Sequence, residues 1–173
     1  MPESGVTTGQ LKQWFDAVDR DRSGQISAKE LQTALDMGQL KFSLATVAHM
    51  IRMHDKDGSG SINFQEFEHL TTFLTEMRSS FNYFDSDRGG SLSLDEIHRA
   101  ITHAGFQLDQ PAFTALVGAF DPDRNALLGV QEFIAMTLFL KSCSAIFTAF
   151  DPQRSGKVTL DFNQFVYAAS NSR

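Results

Sequence analysis

The stretch from Asp19 to Glu30 reads DRDRSGQISAKE. It places oxygen-bearing side chains at its positions 1, 3, 5, 9 and 12, a glycine at 6 and an isoleucine at 8. A hard divalent cation such as calcium takes roughly six to eight oxygens at 2.3–2.6 Å. A short loop delivers them with side chains at alternate positions, a backbone carbonyl at 7 and a two-oxygen glutamate at 12. The stretch therefore predicts a calcium loop between two helices. Its ligands would be Asp19, Asp21, Ser23, the Gln25 carbonyl, Ser27 directly or through water, and Glu30. Gly24 permits the sharp turn at positive φ.

Working outward, the same design returns at Asp55, Asp85, Asp121 and Asp151. The second copy, DKDGSGSINFQE over 55–66, is complete, with Asp55, Asp57, Ser59, the Ser61 carbonyl, Asn63 and Glu66. The third, DSDRGGSLSLDE over 85–96, keeps Asp85, Asp87, the Ser91 carbonyl, Ser93 and Glu96, but has Gly89 at position 5. Water fills that place, so weaker binding is expected. The fourth, DPDRNALLGVQE over 121–132, has Ala126 at position 6 and Gly129 at position 9. A left-handed alanine costs about 1–2 kcal/mol, so this site is expected to be weak or empty. The fifth, DPQRSGKVTLDF over 151–162, has Gln153 at position 3 and Phe162 where the glutamate belongs. No calcium is expected there. Three carboxylates per site suit affinities on the order of 10⁻⁷–10⁻⁵ M, the range of sensors.

The loop starts lie 36, 30, 36 and 30 residues apart. After a loop, the shorter spacing leaves room for one helix only, which must leave one loop and enter the next. Residues 64–84 and 130–150 meet this demand, and the first has Phe67, Leu70, Leu74, Met77, Phe81 and Phe84 at helical spacing. The longer spacing calls for a break. Gly38 with Ser43 supplies one, and Gly105 with Asp109 and Pro111 the other. Eight helices follow, at 8–18, 28–37, 43–54, 64–84, 94–104, 110–120, 130–150 and 160–169. The fold is all-α, with two long shared helices and short two-stranded ribbons between paired loops. Residues 1–10 read as a flexible tail and 11–173 as the domain. Position 8 residues should pair, Ile26 with Ile62 and Leu92 with Leu128, leaving Val158 over. An unpaired strand edge beside an apolar last helix (Phe162, Phe165, Val166 and Tyr167) predicts a homodimer. The competing reading folds that helix back onto its own core.

Composition narrows the function. The net charge of -6 disfavours nucleic acid, and the ligand positions of the first four loops account for twelve of the 21 acidic residues. The lone Cys143 excludes an internal disulfide and reads as a buried or half-buried thiol rather than a reactive one. Five histidines show no zinc spacing, and no nucleophile constellation, P-loop or dinucleotide fingerprint argues for an enzyme. The 16 phenylalanines read as core, or in part as a partner groove opened by calcium. The N-terminus has no signal-peptide pattern, Pro2 replaces the glycine of myristoylation, and no run reaches the roughly 20 apolar residues of a membrane span. A cytoplasmic location is expected, with nuclear or membrane association on loading.

Five loops, the alternating spacing and a fifth loop without its glutamate resemble the penta-EF-hand family. The full-length first loop is similar to that of its apoptosis-linked and peflin subgroup, and VDRDRSGQIS followed by ELQTAL resembles the apoptosis-linked type in particular. The resemblance implies an adaptor that dimerises through its fifth hand and binds Pro-rich segments of target proteins when calcium-loaded. Two other expectations stand beside it: a regulatory subunit paired with a catalytic partner, and a calcium buffer without a target. Where the family's peptide-binding surface uses tryptophans, this chain has Thr71 and Met77.

Overall fold

The computed structural model of the chain describes residues 7–172. Of the stretch read as a tail, residues 1–6 lie outside the described residues, and residues 8–10 are helical. The chain forms two compact units, divided between Thr75 and Glu76.

The first unit holds α1 (Thr8–Val18), α2 (Ala28–Met37), α3 (Leu44–His54) and the first half of α4 (Phe64–Phe84). Thr7, Ser27 and Ser43 cap the first three helices, each accepting an amide N–H of the first turn. Gly38 caps the end of α2, and the left-handed residue just beyond is Gln39, at φ 64°. Ile26 and Ile62 exchange two backbone hydrogen bonds of 2.8 and 2.9 Å, the pairing expected of position 8. The core gathers Phe15, Ile26, Leu31, Val47, Met50, Ile62 and Leu70. Phe15 packs edge-on against Phe64 and Phe67, each at 5.6 Å.

The second unit holds the rest of α4, then β1 (Leu92–Ser93), α5 (Leu94–His103), α6 (Gln110–Phe120), β2 (Leu127–Leu128), α7 (Val130–Phe150) and α8 (Phe162–Asn171). β1 and β2 are antiparallel, with Leu92 opposite Leu128. Gly105, at φ 91°, lies beyond the end of α5, and Asp109 caps α6 with Pro111 in its first turn. The core joins Phe81, Phe84, Ile97, Ile101, Phe113, Val117 and Phe133.

Two expectations need correction. The last helix begins at 162 rather than 160. In the first three loops position 9 begins the exit helix as its N-cap. In the fifth, Asp161 takes that role two residues later, because it forms a reciprocal capping box with Gln164. The second concerns apolar length. α7 is long and apolar enough to cross a membrane by length and composition. Within this fold its first half is core, with Phe133, Ile134, Met136, Leu138 and Leu140 buried.

Candidate metal centres

All five loops build the same nest around their first aspartate. Its carboxylate accepts the backbone N–H groups of positions 5 and 6, at 3.0 and 2.8 Å for Asp19 and at 3.1 and 2.8 Å for Asp55. The corresponding bonds are 2.9 and 3.0 Å for Asp85, 3.2 and 2.8 Å for Asp121, and 2.8 and 2.7 Å for Asp151. The turn that makes this possible is left-handed at position 6, where Ala126 stands at φ 61° among glycines. Position 4 is left-handed too, and the sequence reading missed it. Gly58 holds the place in the second loop, but Arg22, Arg88, Arg124 and Arg154 hold it at φ 54–56° in the others. The signal was Gly58 itself, at the same register.

The closing glutamate is held at both oxygens. Glu30 accepts the Arg20 N–H on Oε1 at 3.0 Å and the Ser27 N–H on Oε2 at 2.9 Å. Glu66 accepts from Lys56 at 2.8 Å and Asn63 at 3.0 Å. Glu96 accepts from Ser86 at 2.9 Å and Ser93 at 3.0 Å. Position 12 of the loop is thus also the third residue of the exit helix, and one carboxylate both closes the loop and caps the helix. The S/N-x-x-E pattern at 27–30, 63–66 and 93–96 announced this. The bonds favour the charged carboxylate. The Ser27 hydroxyl and N–H lower the Glu30 pKa, and the Ser93 and Ser86 N–H groups bring Glu96 down to about 2.

Among the described residues, two groups bring three carboxylates together with ligand oxygens all within 4.8 Å: Asp19, Asp21 and Glu30, and Asp55, Asp57 and Glu66. Ser23 and Ser59 stand beside them, each donating its hydroxyl to the position 7 carbonyl, of Gln25 at 2.9 Å and of Ser61 at 3.2 Å. The Ser61 hydroxyl also donates to the Gln25 side-chain oxygen, which ties the two loops together at position 7. This all-oxygen, carboxylate-rich donor set fits calcium. Asp85, Asp87 and Glu96 do not form such a group. Asp87 Oδ1 lies 2.9 Å from where a Cβ on Gly89 would stand. The carboxylate leans into the space that serine fills in the first two loops. Cys143, in the second half of α7, is half-buried, and burial raises its thiol pKa.

The family profile for an EF-hand domain pair matches residues 9–72 and again 74–138. The chain is 31% identical over 155 residues to penta-EF hand domain-containing protein 2 of Dictyostelium discoideum, covering 90% of this chain and 75% of that one. The chain belongs to the penta-EF-hand family. It is also 34% identical over 159 residues to peflin of Danio rerio, across 91% of this chain, and spans 59% of that relative's length. Its fold matches a solved structure of a homolog of programmed cell death 6 protein from Leishmania major Friedlin. There the TM-score is 0.72 and the identity 36%, over 96% of this chain and 95% of the other. As a penta-EF-hand protein of this type the chain binds calcium, and the two carboxylate groups are where its geometry is most ready for the ion.

Proposed function

We propose that this penta-EF-hand protein is a calcium-responsive adaptor that pairs with a second copy of itself and engages partner proteins when loaded. Calcium would be held by Asp19, Asp21, Ser23, the Gln25 carbonyl and Glu30, by Asp55, Asp57, Ser59, the Ser61 carbonyl and Glu66, and by Asp85, Asp87, the Ser91 carbonyl and Glu96. Three such ions bring six positive charges to a chain of net charge -6. Loading then removes self-repulsion and favours contact with proteins, Pro-rich segments among them, or reversible contact with a membrane surface. We place its work in the cytoplasm and give it no catalytic role.

One observation carries the pairing. No residue of α8 is buried, and Phe162, Phe165 and Tyr167 are 78%, 59% and 63% exposed. Beside them runs an apolar groove of about 290 Å³, lined by Ile146, Phe147, Phe150, Val158 and Leu160. Large apolar side chains clustered in the open on one face point to an interaction site. Val158 takes part in no bridge among the described residues, so its backbone edge is open to a partner strand. The same face would serve a heterodimeric regulatory subunit, and sedimentation of the pure chain separates the two readings. A homodimer that Phe165→Asp converts to monomer is expected. A monomeric wild-type chain, with and without calcium, refutes self-pairing.

A further inference from the structure

The five loops share their first-aspartate nest, so the nest does not distinguish them. What differs is the hold on position 12. In the first three loops the glutamate Oε1 accepts the backbone N–H of position 2, from Arg20, Lys56 and Ser86, at 2.8–3.0 Å. This bond reaches back ten residues across the loop. Together with the position 9 bond on Oε2 it ties down both oxygens of the carboxylate. In the fourth loop position 2 is Pro122, which has no N–H to give. Glu132 accepts the Gly129 N–H at 2.6 Å, and no backbone donor exists at position 2 to take its other oxygen. In the fifth loop proline stands there again, as Pro152, and the glutamate itself is replaced by Phe162. Donor and acceptor have gone together.

We infer that the backbone N–H at loop position 2 is the positioning group that presents the closing glutamate to calcium, and that Pro122 withdraws it from the fourth loop. The inference rests on reading the first three loops as calcium sites. It assigns the weakness of the fourth loop to a missing backbone donor as well as to Ala126. Proline does not act by distorting the loop, because Asp121 and Asp151 keep their position 5 and 6 bonds beside Pro122 and Pro152. A hydrogen bond to a charged group that must otherwise be re-formed with water is worth roughly tenfold or more in binding.

The test compares two substitutions at one position in the full chain. Arg20→Ala keeps the N–H and sets the baseline, whereas Arg20→Pro removes it. Calcium calorimetry is expected to show one site at least tenfold weaker in Arg20→Pro than in Arg20→Ala. Equal affinities in two folded variants overturn the inference. Far-ultraviolet circular dichroism reports folding, and Ser86→Pro against Ser86→Ala repeats the comparison in the other unit. A metal-free readout comes from the fourth loop. Pro122→Ala creates an amide at 122, expected to exchange hydrogen at least tenfold more slowly than it does when Glu132→Gln is added. Equal exchange in the single and double variants overturns the positioning role. A wild-type chain silent in calorimetry would sink the calcium reading, while amide exchange would still decide the positioning one.

Discussion

Gly89 and Ser23 occupy the same register in two loops, and one side chain separates their outcomes. With serine the position 3 carboxylate stays with its neighbours. With glycine, Asp87 Oδ1 accepts the Gly89 N–H at 2.8 Å and lies 2.9 Å from where a Cβ would stand. Gly89→Ser would meet the movable end of Asp87 and supply a hydroxyl. It should tighten the third site by roughly threefold to tenfold, about the worth of one added polar contact. Calcium calorimetry checks this, and unchanged affinity would remove the steric account. His49 offers a second prediction at this scale. It is buried on α3, and its Nε2 has no hydrogen-bond partner among the described residues. Burial, aided by the nearby Arg52 charge, lowers its pKa from 6.5. The folded state thus favours neutral imidazole. Stability is complete above pH 6.5 and falls as the pH drops below it, because the unfolded chain takes up the proton first. Denaturant melts across pH 5–8 should show this slope, flattened in His49→Leu. At the residue scale the left-handed Ala126 was legible, since position 6 demands positive φ. The left-handed arginines at position 4 were legible only through Gly58 at the same register, because arginine carries no turn signal of its own.

At the scale of elements, spacing carried most of the information. A 30-residue interval has no room for two helices and a turn, so α4 and α7 had to be single helices, and each runs 21 residues. The breaks fell where Gly38, Ser43, Gly105 and Asp109 placed them, because caps are made by neighbours in the chain. The start of α8 escaped that logic. Repeating the register of the other loops put it at 160, whereas the local capping box of Asp161 and Gln164 puts it at 162. Here the repeat misled and a four-residue pattern was the better guide. The long apolar run of α7 also needed the fold to interpret it. Its first half is core, and its last turns, with exposed Phe147, form one wall of the groove beside α8.

At the scale of the molecule, the two units divide the calcium chemistry unequally. The first holds both preassembled carboxylate groups, linked through the Ile26–Ile62 bridge and the Gln25–Ser61 contact. Calorimetry should count three ions per chain, and Glu30→Ala, Glu66→Ala and Glu96→Ala should each delete one. Because the first two loops are tied together, losing Glu30 should also weaken the second site, by roughly threefold or more. Losing Glu96, in the other unit, should leave that site within about twofold. Trp14 lines a groove with Glu30 at the end of the first hand, so its fluorescence should follow the first loop alone. Four ions, or independent loss at every site, would contradict this division.

The sequence by itself determined the five-fold register of the loops, the eight helices and the pairing of position 8 residues. All of these depend on residues within about a dozen positions of one another, or on covalent spacing. Only the tertiary structure decided which carboxylates gather, how position 2 holds position 12, and that α8 keeps an apolar face outward. Those outcomes turn on side-chain rotation, on a backbone donor whose partner is ten residues away, and on burial by α7. Periodicity reports that a residue is apolar, whereas only packing decides whether the chain itself covers it.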